Sequence, residues 1–169
     1  MASAKDRLLQ WLRDAHAMEE QAETMLKAQA SRIENYPEIK ARIEQHIVET
    51  QGQQKKLESC ITRLGGSTSS FKDLAGKLMA TMQGLGGATM GDEIVKGAVI
   101  SYAFENLEQA TYTGLIGAAD YVGDTETKRI CEEILQEEIA MADFLKQHLP
   151  GTVQQYLTRE ETPDVMSKR

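Results

Sequence analysis

The chain has 169 residues, 5% of them aromatic, and a formal net charge of -7. That length is expected to fold as one domain with a real core. The acidic balance argues against nucleic-acid binding, since Lys55-Lys56 is too short to form a basic patch. No stretch approaches the ~18 continuous apolar residues of a membrane span. Residues Met1 to Asp6 lack the basic run and apolar stretch of a signal peptide, so a cytoplasmic protein is expected.

The first helix is expected from Ser3, a capping residue with Asp6 three positions on, to about Ala30. Leu8, Leu12, Ala15, Ala22 and Leu26 form its apolar stripe. At about 100° per residue, Glu19 falls within about 20° of Leu8 and points inward, while Glu20 points away. Asn35-Tyr36-Pro37 makes a short connection, and Pro37 suits the first turn of a second helix that runs to Leu64 before Gly65-Gly66. On that helix Ile39, Ile43, Leu57, Ile61 and Leu64 make the stripe, with His46 central and Glu49 about 90° off-centre on its flank.

Residues Ser67 to Met90 differ in composition and read as a crossover with a short amphipathic helix over Phe71–Met82. A third helix is expected from Gly91 to Val122, with Ile94, Ala98, Ser101, Tyr112, Ile116 and Ala119 on one face. Glu105 and Glu108 share that face, about 60° apart. The internal Gly97, Gly114 and Gly117 suggest close approach to a neighbour. After Gly123-Asp124, a fourth helix is expected to run to Leu149 and stop at Pro150-Gly151, with one more turn over Val153–Leu157. Ile130, Ile134, Met141, Leu145 and Leu149 form its stripe, and Glu138 lies within it. The domain is expected over 1–158, followed by a polar tail over 159–169 that frays.

Hairpin, long connection, hairpin is the layout of an all-α, ferritin-like antiparallel four-helix bundle. In that layout Glu19, His46, Glu49, Glu105, Glu108 and Glu138 fall in one mid-bundle layer. Bare carboxylates in a core are costly unless paired or bound to metal, and no Lys or Arg sits centrally on these stripes. The donor set suits iron, with manganese or zinc as alternatives. Di-metal carboxylate bundles use a Glu from each of two helices and Glu-x-x-His from each of the other two. Here His46-x-x-Glu49 has the reverse order, and Glu138 is followed by Met141 instead of His. His16 reads as a surface or supporting residue. His148 is too far along its helix from Glu138, and Tyr112 reads as a packed tyrosine with a bonded hydroxyl. Cys60 and Cys131 read as reduced thiols.

The segments Trp11 to Glu19, Arg42 to His46, Asp92 to Gly97 and Met141 to Asp143 resemble the YciE/YciF family of ferritin-like bacterial stress proteins. The resemblance implies a homodimeric bundle with a di-iron site. By position it assigns Glu19, His46, Glu49, Glu105, Glu108 and Glu138 to that site. The chemistry expected is reaction of iron with a small oxidant, dioxygen or peroxide. The alternative is a non-enzymatic stress protein acting through oligomer or partner contacts. Whether the chain is an enzyme stays open at this point, and a storage cage is disfavoured because no further acidic cluster is present.

Overall fold

The computed structural model describes residues 2–68 and 91–167. The expected crossover helix over Phe71–Met82 lies outside the described residues. Helix α1 spans Ala4–Arg32, α2 Pro37–Arg63, α3 Glu93–Val122 and α4 Thr125–Glu160, with no strand among the described residues.

Local chemistry sets the helix ends. Ser3 Oγ accepts from the Asp6 N–H at 3.1 Å, and the Asp6 carboxylate accepts from the Ser3 N–H at 2.8 Å, closing a capping box. Pro37 enters at the first turn of α2, where its missing N–H has no helical partner to lose. Gly65 and Gly123 adopt φ of 78° and 72° after α2 and α3, the left-handed conformation that favours glycine. Asp124 caps α4 by accepting from the Thr127 N–H at 3.1 Å.

The short links after α1 and α3 make two antiparallel hairpins. Helix α1 packs on α2 and α3 on α4; the hairpins then meet through α1 on α3 and α2 on α4. The diagonals of the bundle are therefore α1/α4 and α2/α3, and side chains on those diagonals face each other at its centre.

The apolar core is in two parts. Leu8, Leu12, Leu57, Ile61, Tyr112, Leu115 and Ile134 belong to one cluster; Leu26, Ile39, Ile43, Ile94, Met141 and Leu145 belong to the other. Each fully buried aliphatic side chain contributes about 1.5–3 kcal/mol. Between the clusters lies a buried polar layer.

Four expectations change. Helix α4 runs through Pro150 to Glu160 instead of stopping at Leu149. Contacts beyond the proline hold it: Tyr156 packs on the second cluster and Gln155 donates to the Asn35 carbonyl at 3.1 Å. The tail folds back, with Ser167 buried and its carbonyl accepting from the Tyr36 hydroxyl at 2.9 Å. Of the three internal glycines of α3, a Cβ at Gly97 would meet Gln29 at 3.0 Å, whereas Gly114 and Gly117 face open space. His16 is buried, not on the surface, and its Nε2 lies 3.3 Å from Glu58. Cys60 and Cys131 are both free and buried.

Candidate metal centre

Every helix contributes to the polar layer. Glu19 comes from α1, His46, Thr50 and Gln53 from α2, Glu105 and Glu108 from α3, and Glu138 from α4, each at most 1% exposed. The spacing 43–46–50–53–57 keeps α2 turned inward throughout, so its stripe is interrupted by three consecutive polar positions between Ile43 and Leu57. Thr50 and Gln53 were not among the expected site residues. The i, i+3, i+7 spacing from Ile43 continues through this polar stretch and is the signal that places both residues inward.

His46 is the hub. Its Nδ1 lies 2.7 Å from Glu49 Oε2. Its Nε2 lies 3.3 Å from Glu105 Oε2 and 3.4 Å from Glu138 Oε2, close enough for charge attraction. Burial opposes charge on the ring, but contacts to Glu105, Glu138 and Glu49 prevail and push it up to about 12. Without metal, the ring is therefore an imidazolium among carboxylates.

Glu49 sits behind the imidazole and outside the cluster that surrounds Nε2. It is partly exposed, with Arg42 Nη1 donating at 3.0 Å and Gln45 Nε2 at 2.8 Å. The His46 contact, against partial burial and with help from Arg42, holds Glu49 down at about 2. A charged carboxylate on Nδ1–H fixes the tautomer that turns Nε2 inward as a lone-pair donor.

The inner carboxyls behave oppositely. Burial, followed by the charges of Glu19, Glu138 and Glu105, raises Glu108 well above the usual range. Burial and the Glu138 charge do the same to Glu19, against the Tyr112 hydroxyl that donates to its Oε1. Burial lifts Glu105 to about 7 in spite of His46. Neither oxygen of Glu108 has a hydrogen-bond partner, nor do Glu19 Oε2, Glu105 Oε2 and Glu138 Oε2. Gln53 Nε2 donates to Glu138 Oε1 and, at 2.9 Å, to Glu137 Oε2.

His46, Glu105, Glu108 and Glu138 each present one donor atom within 4.8 Å of the others. Bonds of about 2.0–2.2 Å to a shared ion would place donors slightly closer together than that. The unpartnered oxygens and the imidazole–carboxylate chemistry thus fit a divalent transition metal. Glu19 stands at the edge of the group, tied to Tyr112. His148 lies apart, stacked on Phe144 with ring centroids 3.9 Å apart.

A helical bundle with two antiparallel hairpins and a mid-bundle carboxylate layer is a ferritin-like protein. Solved structures agree. A crystal structure of a protein from Xanthomonas campestris pv. campestris is 45% identical over 95% of this chain and 100% of its own, with a TM-score of 0.82. The Escherichia coli stress protein YciF aligns with a TM-score of 0.78 at 18% identity, over 91% of this chain and 99% of that one. Ferritin-like, diiron-carboxylate proteins from Bacillus anthracis align with a TM-score of 0.72 at 18% identity, over 88% and 99%. At 18% identity these two speak for the fold alone. The family model described as a domain of unknown function (DUF892) matches residues 3–158, and the chain belongs to that family.

Proposed function

We propose that the polar layer binds a divalent transition metal, iron foremost with manganese or zinc as alternatives, in a cytoplasmic stress-response protein. The observation that carries this reading is Glu108. It is fully buried, has no hydrogen-bond partner on either oxygen, and faces His46, Glu105 and Glu138. A buried carboxylate without a donor costs several kcal/mol unless it keeps a proton or meets a cation. Bound iron would supply reaction with dioxygen or peroxide. The chain's own part is to present Nε2 of His46, to bring the carboxylates together, and to exclude water with the apolar clusters on either side.

A second reading is favoured by His46 itself. The imidazolium already balances part of the carboxylate charge, so a layer stabilised by protons alone would suit a non-enzymatic protein that acts through its surfaces. Glu108→Ala separates the two. If the layer binds metal, the variant stays folded but loses most of the metal, and added ferrous iron no longer raises its melting temperature. If the layer holds only protons, neither protein binds metal and the variant melts higher, because a buried carboxyl has gone.

We also propose that the chain is a homodimer paired through the outer face of α3. Between Lys96 and Asp120 the only charged residues of α3 are Glu105 and Glu108, and both point inward. The outer face instead carries Val99, Ala103, Leu107, Ala110, Gly114, Gly117 and Tyr121, all exposed. In an antiparallel pairing centred on Ala110, Val99 meets Tyr121 and Ala103 meets Gly117, so small residues near the centre would let the two helices approach.

A further inference from the structure

We propose that the layer takes one divalent cation per chain, not two, held by His46, Glu105, Glu108 and Glu138, and that Thr50, Gln53 and Met141 close the place of a second. The inference rests on the metal reading above.

The donors of these four residues gather around one point. A second ion in a carboxylate bundle lies about 3.5–4 Å from the first and needs bridging carboxylates. It also needs ligands of its own, supplied in such bundles by a second Glu-x-x-His pair. This chain has no such pair in the layer. Helix α2 turns Thr50 and Gln53 inward at that i, i+3 spacing, and α4 follows Glu138 with Met141; all four side chains are fully buried. His46 is the one imidazole of the layer. His16 pairs with Glu58, and His148 stacks on Phe144.

Two of the carboxylates a second ion would share also have one oxygen each engaged. The Tyr112 hydroxyl donates to Glu19, and Gln53 Nε2 donates to Glu138 Oε1. Gln53 cannot turn its carbonyl toward Glu138 without giving up its NH2 contacts to two carboxylates, Glu137 and Glu138. The side of Glu138 nearest Gln53 therefore meets N–H dipoles, which repel a cation.

The test is metal stoichiometry on the full chain. Stripped protein is titrated with Mn2+ and, separately, with Zn2+, and the Mn2+ form is examined by electron paramagnetic resonance. The inference expects one ion per chain and the six-line spectrum of an isolated Mn2+. Two ions of either metal, or a spin-coupled Mn2+ pair, would overturn it while leaving the metal reading intact. No binding of either metal would overturn both. The double variant Thr50→Glu/Gln53→His supplies the missing pair and, if its helical circular dichroism is retained, should bind two ions. A count still at one would show that these residues are not what closes the second place.

Discussion

Glu49 and Glu108 are both glutamates of one layer, but their surroundings give them opposite roles. Glu49 has an imidazole N–H, a guanidinium and an amide around it, and they hold its pKa down at about 2. Glu108 faces other carboxyls, and burial followed by their charges pushes it well above the usual carboxylate range. In a metal-bound layer Glu49 would therefore be a positioning residue for His46. Glu49→Gln should lower metal affinity roughly 10- to 100-fold by removing the charge that orients the ring. Isothermal titration of wild type and variant checks it; unchanged affinity would mean that the ring needs no such partner. At this scale the sequence was legible where a carboxylate broke an apolar run, as at Glu19, Glu105, Glu108 and Glu138. Thr50 and Gln53 were legible as inward positions from the spacing that starts at Ile43, but not as members of a site, because an uncharged polar residue on a stripe carries no alarm. Glu49's place behind the ring depended on its 90° offset, which the helical wheel gave but which does not say whether a side chain reaches a metal or a neighbour.

The α1–α2 hairpin carries a polar tie of its own. Glu23 on α1 accepts from Lys27 at 2.6 Å and from Gln51 and Gln54 of α2, each at 2.8 Å. These contacts, that with Lys27 first and then those with Gln51 and Gln54, hold its pKa at about 2, below the 4.5 of an ordinary glutamate. A lowered folded-state pKa adds stability that is fully present above the unfolded value and is lost as pH falls through the folded one. Glu23→Ala should thus cost about 1 kcal/mol at neutral pH. The melting-temperature gap to wild type should close between pH 4.5 and 2. A gap constant across that range would contradict the tie. Helix starts and the glycine stops of α2 and α3 were readable because each rests on one or two local residues. The end of α4 was not. Pro150 removes one hydrogen bond, and contacts distant in sequence, the packing of Tyr156 and the Gln155–Asn35 hydrogen bond among them, support the helix beyond it.

At the scale of the molecule, the two hairpins build a core in two apolar parts with a polar layer between them. The order of helices and the depth of the layer could be read from connection lengths and from the mid-helix placing of the carboxylates. Which helices lie diagonally opposite could not, because adjacency depends on how the hairpins dock. The uncharged outer face of α3 was masked in the sequence by Glu105 and Glu108, which lie in the middle of it along the chain but point the other way. With Leu107 41% exposed on that face, Leu107→Glu would place a charge in the proposed dimer contact. Sedimentation velocity should show a dimer for wild type and a monomer for the variant, with helical content unchanged. A wild-type monomer, or a variant that still dimerises, would place the contact elsewhere or remove it.

The metal content of the full chain, purified without chelator and then incubated anaerobically with ferrous iron, tests the central claim most directly. The expected result is stoichiometric bound transition metal that survives gel filtration and raises the melting temperature, since a ligand bound only by the folded state stabilises it. A protein that emerges metal-free with an unchanged melting temperature would show that protons alone fill the layer around His46 and Glu108.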